Sequence, residues 1–288
     1  MPPTPPAARV TSRLAARKAA LAATTLALMI STVGLSTDSA ASSYTSVNMR
    51  TAARTAHTRM PSHNLKHWKL AFRDNFRGNK LSSAWSVYGP TAVPSNPNTA
   101  YWSPSHAKVS HSKLILSGKR DSANGQIVTA GVGLWGEKPL TYGKYKMLVR
   151  VTKCSQVKYA WILWPYNGEW PSGGEVDFGE DEGGARQGTT GSIVYDNQGS
   201  PGTLRQNYVT TQRPFSDWHV VGVIWKPGVI KYTLDGKTWG VRRSADVPST
   251  PMVLALQTES LVPANQVPQS FNSCNAQIGW VAEWSMRH

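Results

Sequence analysis

Residues 173–180 read GGEVDFGE, and the fold follows from how this short stretch is read. A β-strand sends successive side chains to opposite faces, so Glu175 and Asp177 share one face while Val176 and Phe178 share the other. Glu180 breaks the pattern. Five residues on from Glu175, a regular strand would turn it toward the apolar side, where a carboxylate is costly. A β-bulge resolves the conflict: if Phe178 and Gly179 together oppose one residue of a neighbouring strand, Glu180 returns to the face of the other two acids. Gly179 suits such a bulge, because glycine accepts the positive φ that one bulge type requires. The outer acids then lie about 13 Å apart along the backbone. Side chains leaning inward from that spacing can bring two carboxyl groups to the separation of about 5–5.5 Å used by retaining glycosidases.

The same alternation recurs outside this stretch. Short runs such as KLILSG (113–118), GKYKMLVRV (143–151), KYAWILW (158–164), HVVGVIW (219–225), VIKYTL (229–234) and MVLALQT (252–258) are separated by turn residues, Asp235-Gly236 among them. No amphipathic helical pattern of convincing length competes. The pattern predicts an all-β domain over residues 66–288, and that many strands require two packed sheets.

Ahead of this domain, Arg9, Arg13, Arg17 and Lys18 precede the uncharged stretch Ala19–Thr37, and small residues follow at Ser39 and Ala41. This is the order of a secretory signal, and it predicts residues 1–41 as a signal peptide and an extracellular protein without stable membrane insertion after cleavage. A membrane anchor is the competing reading, but the Ala, Thr and Ser content leaves a short apolar core. Residues 42–65 are small, polar and basic, without apolar periodicity, and predict a flexible linker.

Lys+Arg of 31 against Asp+Glu of 16 give a formal charge of +15. Removing residues 1–41 takes away four basic residues and Asp38, leaving 27 against 15. The basic residues are scattered, with no Lys/Arg run interleaved with aromatics and no zinc-finger spacing, which argues against a nucleic-acid partner. Twelve Trp against five Phe suit a protein that stacks flat rings on sugars, although core packing accounts for some of them. The seven His show no metal-ligand spacing, and neither a Ser/His/Asp pattern nor a phosphate-binding glycine loop is present. Cys154 and Cys274 are the only cysteines. In an oxidising compartment such a pair predicts one disulfide, rather than a metal site or a catalytic thiol.

Three acids in a row cannot all stay ionised, so one of them must hold a proton. Glycoside hydrolysis needs this arrangement: an ionised carboxylate to attack the anomeric carbon and a protonated one for the leaving oxygen. A solvated acidic turn or a calcium loop is the alternative, with Asp181 and Glu182 just downstream. Val176 and Phe178 favour a packed strand.

WPSGGEVDFGE (170–180) resembles the active-site strand of glycoside hydrolase family 16, the laminarinase and lichenase group, whose bulged motif is Glu-x-Asp-x-x-Glu. The resemblance extends over about residues 68–285, through FRDNFRGNKLSSAWSVY, AKVSHSKLILSGKR, YGKYKMLVRV and DWHVVGVIWKPGVIKYTLDGK. It implies a β-jelly-roll sandwich of the concanavalin A-like lectin/glucanase type, and a retaining endo-hydrolase of β-1,3- or β-1,3-1,4-glucan that needs no organic cofactor and acts as a monomer. A lectin-like binding protein or a transglycosylase on the same fold is the alternative. By motif position Glu175 is the nucleophile, Asp177 the assisting acid and Glu180 the acid/base. Trp170 is the first candidate for a sugar platform, with Trp164, Tyr101 and Trp102 behind it. The chain departs from the family at three places. Val194 replaces a histidine expected near the acid/base, Gly279 replaces an aspartate that helps hold a structural calcium in some members, and Lys146 replaces a common glutamate.

Overall fold

The computed structural model describes residues 58–94, 97–211 and 213–287, and of residues 204–208 the backbone alone. The signal-peptide reading (1–41) and the first part of the linker (42–57) lie outside the described residues. All described residues fall within one compact unit. Among them the only helical turns are two short 3-10 turns, Pro104–His106 and Ala264–Gln266. No helix there is long and apolar enough to cross a membrane.

Two sheets face each other, as the alternating runs require. The seven-stranded sheet has the order β13 (Ser200–Thr210), β12 (Gly188–Asn197), β11 (Glu175–Asp181), β10 (Val157–Pro165), β17 (Met252–Ser260), β8 (Gly131–Gly133) and β2 (Ser86–Val87). The path through the larger sheet runs β16 (Lys237–Arg243), β15 (Val229–Leu234), β14 (His219–Lys226), β9 (Gly143–Val151), β18 (Ser273–Met286), β6 (Leu114–Arg120), β7 (Ile127–Thr129), β4 (Tyr101–Trp102) and β3 (Thr91–Ala92). Two further strands complete its eleven: β1 (Trp68–Asp74) pairs with β18, and β5 (Ala107–Val109) with β6. Pairing is antiparallel throughout, except for the two-residue contact of β4 with β7. The fold is the two-sheet sandwich that the alternating runs predicted and the jelly roll that the resemblance implied.

Alternation in sequence becomes alternation in burial. In β9, Tyr145, Met147, Val149 and Val151 enter the core between the sheets while Lys144, Lys146, Leu148 and Arg150 lie on the outer side. From the seven-stranded sheet Tyr159, Trp161, Leu163, Val176, Phe178, Ile193, Leu254 and Leu256 meet them. The Asp235-Gly236 turn closes the β15–β16 hairpin with both residues in the left-handed region, φ 49° and 81°, as a tight two-residue hairpin demands.

The end of the predicted linker is packed. Thr58 and His63 offer backbone carbonyls to the indole N–H groups of Trp280 (2.7 Å) and Trp284 (3.1 Å). Met60 and Leu65 cover the cluster of Trp68, Val220, Trp280 and Trp284 on the outer side of the larger sheet. Cys154 and Cys274 are joined in a disulfide with Cα atoms 6.3 Å apart.

Candidate active site

The opening stretch forms β11, and its register contains the bulge. Against β10, Asp177 faces Ile162 and Gly179 faces Trp161, so Phe178 is the inserted residue. Against β12, Asp177 faces Ser192 and Glu180 faces Thr190, which leaves Phe178 and Gly179 together opposite Gly191. Gly179 is not in a positive-φ conformation, contrary to the reason first given for it. Its role is steric: a Cβ there would lie 2.4 Å from Cδ1 of the buried Trp161. Gly191 is constrained likewise, since a Cβ would meet the ring of Tyr232, which crosses from the larger sheet, at 2.7 Å. Two aromatic rings pressed against the inner side of the bulge therefore require both glycines.

With Val176 and Phe178 in the core, the three acids stand on the outer face of the seven-stranded sheet. Glu175 accepts a 2.8 Å hydrogen bond from Nε1 of Trp170. Asp177 lies deepest, 6% exposed, and accepts a short hydrogen bond from the hydroxyl of Ser192. Burial, followed by the charge of Glu175, pushes the Asp177 carboxyl well above its ordinary range. This favours the protonated form of Asp177, which is hydrogen-bonded to Glu175. Burial also raises Glu175, but the hydrogen bonds from Asp177 and Trp170 work against that rise. Between the two, burial favours the proton on Asp177 and the hydrogen bonds from Asp177 and Trp170 favour the charge on Glu175.

Glu180 is met by Lys158 of β10, whose Nζ stands 3.5 Å from it and 3.5 Å from Glu259 of β17. Gln257 donates a 2.7 Å hydrogen bond to Glu259. These polar residues form one end of the face. Along it, Ala160, Ile162 and Ala255 make an apolar strip bordered by Tyr88 and Trp164. Beside the strip the indoles of Trp164 and Trp170 lie nearly parallel, 6.4 Å between centroids and 9° between planes. Trp170 is 43% exposed.

Of the other aromatic candidates, Tyr101 is half-buried and Trp102 is 8% exposed. Trp102 packs with Val93, Ala100 and Tyr88 and gives its N–H to the carbonyl of Thr258, so it builds the wall behind the strip and presents no open ring. Val194 lies directly opposite Glu175, so this departure from the family falls beside that acid and not beside Glu180. Gly279 occupies a bulge of β18 against Leu148. Among the described residues no group of three or more His, Cys, Asp or Glu is placed to hold a metal ion. Lys146 lies on the larger sheet, its pKa lowered by burial, away from the three acids.

Sequence reasoning missed Lys158, Ser192, Gln257 and Glu259. The signal available was the lysine that opens KYAWILW and the alternate polar residues Gln257 and Glu259 at the end of MVLALQTES. Shallow, open pockets occur elsewhere, one of about 400 Å³ beside Cys154 and Phe271 and one of about 220 Å³ between Gly174, Tyr195 and Pro248. The acids themselves stand on an open sheet face, a form suited to a long chain laid across it.

A family model described as glycosyl hydrolases family 16 matches residues 95–282. Among curated proteins the chain is 24% identical over 181 residues to the clotting factor G alpha subunit of Tachypleus tridentatus, covering 60% of this chain and 26% of that protein. The chain thus spans about a quarter of that relative. Among solved structures it superposes on the laminarinase from Rhodothermus marinus with a TM-score of 0.65 and 18% identity, over 77% of this chain and 99% of that one. An endo-acting O-glycanase of the human gut microbiota gives a TM-score of 0.67 and 18% identity, over 79% and 94% of the two chains. At such identities the superpositions speak for the fold, whereas the family match takes in well over half of the sequence together with the bulged strand, and on that match the chain belongs to glycosyl hydrolases family 16.

Proposed function

We propose that this protein is a secreted endo-acting glycoside hydrolase that cleaves the β-glycosidic bonds of a polysaccharide with retention of configuration, a β-1,3- or β-1,3-1,4-glucan being the first substrate to test. The observation that carries the reading is the bulge at Phe178 and Gly179, which returns Glu180 to the face of Glu175 and Asp177. Glu175, held by Trp170 and by the proton of Asp177, attacks the anomeric carbon. As the glycosidic C–O bond breaks, Glu180 passes its proton to the leaving oxygen. Water then gives a proton to Glu180, attacks the same carbon and releases Glu175. Asp177 hydrogen-bonds the nucleophile through both halves, and Trp170 with Trp164 offers apolar ring faces to the sugar. No organic cofactor enters these steps. The glucan preference is supported by the laminarinase among the structural neighbours; export is supported by the N-terminal sequence and the disulfide; a single chain carries the whole site, in keeping with a monomer.

The test is a panel of β-1,3-, β-1,3-1,4- and β-1,4-glucans, galactans and mucin glycans, assayed for new reducing ends, with the anomer of the first product followed by NMR. Glu175→Gln should abolish turnover and leave glycan binding within a few-fold. Binding without cleavage by the wild type would favour a lectin-like protein, and longer oligosaccharides in place of reducing ends would favour a transglycosylase. An α anomer as the first product, which is the outcome of inversion, would overturn the assignment of Glu175.

A further inference from the structure

The pairing that aligns the acids also sets a cation among them. Lys158 is the direct cross-strand partner of Glu259 in the β10–β17 pair, and Ala160 beside it is the partner of Glu180 in the β10–β11 pair. Its ammonium bridges Glu180 and Glu259 at 3.5 Å each, with the Lys158 side chain 21% exposed and that of Glu259 only 3%. The next residues of β10 on that face are Ala160, Ile162 and Trp164, so Lys158 is the one charge this strand puts on the face. The groups that meet it are Glu180 and, farther along, Asp177 from β11, Glu182 just beyond β11, and Glu259 from β17. Across from Glu180, β12 contributes the uncharged Thr190. Desolvation lowers the proton affinity of Lys158, but Glu259, Glu180 and Glu182 together more than reverse this, and the lysine stays charged.

We propose that Lys158 is a positioning residue for Glu180, holding its carboxylate in place and lowering its hold on a proton, with Glu259 as the counter-charge that anchors the lysine and moderates its effect. This rests on the reading of Glu180 as the acid/base. When Glu180 gives its proton to the leaving oxygen it becomes an anion beside an ammonium, which favours the transfer. In the second half-reaction it takes the proton of the attacking water and the pair relaxes. Lys158 thus strengthens Glu180 as an acid, most of all toward the poor leaving group of a natural glycan.

The experiment compares wild type with Lys158→Met, Lys158→Gln, Lys158→Arg and Glu259→Gln in two measurements. The first is the pH profile of kcat/KM on laminarin and on an aryl β-glucoside or aryl β-laminaribioside with a good leaving group. The second is the titration of Glu180 in substrate-free protein carrying ¹³C-carboxyl Glu, assigned with Glu180→Gln. Loss of the lysine charge should move the alkaline limb and the Glu180 titration upward by about one pH unit. It should also cut kcat on laminarin about tenfold while sparing the aryl substrate. Lys158→Arg should restore both, and Glu259→Gln should shift both downward. A Glu180 titration unchanged in Lys158→Met and Lys158→Gln overturns the proposal. If those two variants fail to fold, Glu259→Gln decides it, because a limb and titration that do not move downward also overturn it. Shifts as expected in a protein that cleaves no glycan would uphold the lysine–glutamate coupling and sink the hydrolase reading instead.

Discussion

The indole N–H of Trp170 donates a 2.8 Å hydrogen bond to Oε2 of Glu175, so the ring proposed as a sugar platform also holds the carboxylate proposed as nucleophile. The bond favours the ionised carboxylate and offsets part of the upward push of burial. Trp170→Phe keeps an aromatic face and removes the donor. Glu175 then binds its proton more tightly, and the acid limb of the kcat/KM profile should move to higher pH by up to about one unit. An acid limb that stays in place while KM rises would make Trp170 a platform only.

Gly179→Ala sets a methyl against the Trp161 ring, which is fully buried and stacked on Tyr159 with centroids 4.9 Å apart. Over-packing of this kind costs about 1–3 kcal/mol. Urea denaturation should show that loss, and activity should fall with it because the bulge carries Glu180. Inserting a residue after Gly179 turns Glu180 toward the core side and should leave no measurable cleavage. An insertion variant as active as the parent would show that Glu180 is not the acid/base.

Glu283 of β18 lies between the sheets opposite Tyr145, and burial pushes its carboxyl from 4.5 up to about 8. The folded state therefore binds this proton more tightly than the unfolded chain does. Its contribution is fully present below about pH 4.5 and is lost as pH rises toward 8. The total is on the order of several kcal/mol. Glu283→Gln should flatten the fall of unfolding free energy between those limits and be the more stable form near pH 8. Parallel curves for the two proteins across that range would refute the assignment.

The Cys154–Cys274 bridge closes a loop with a sequence separation of 120, for which chain entropy gives on the order of 3–5 kcal/mol. It also borders the buried Arg186, which contacts Sγ of Cys154 at 3.8 Å and pairs with Asp181 at 2.8 Å, one residue beyond Glu180. The double variant Cys154→Ala/Cys274→Ala should unfold at markedly lower denaturant concentration and lose activity before it loses its strands. Peptide mapping without reduction provides the independent check, since both thiols found free would remove the basis for the prediction.

How much of this could be read in advance depended on the range of the interaction. The faces of β11 and its bulge are carried in full by GGEVDFGE, and the β15–β16 hairpin by the Asp235-Gly236 pair, each a matter of a few adjacent residues. The partners of those residues do not. Lys158 meets Glu259 only because β10 pairs with β17 over a separation of about a hundred residues, and no local pattern encodes that register. Gly179 was understood through its own backbone, whereas its cause is the ring of Trp161 on the next strand. Residues 58–65 read as a linker because their docking uses backbone carbonyls, which composition does not reveal, taken up by Trp280 and Trp284 at the other end of the chain.

The last of the described strands, β18, is not an edge. It runs down the middle of the larger sheet, with β9 on one side and β6 and β1 on the other. During synthesis β1, and the side of β9 turned away from β14, therefore stay unpaired until β18 has been made, and the centre of the sheet closes around it late. Trimming a few residues from the C-terminal end would unzip the centre of the sheet, where most proteins lose only a fraying edge.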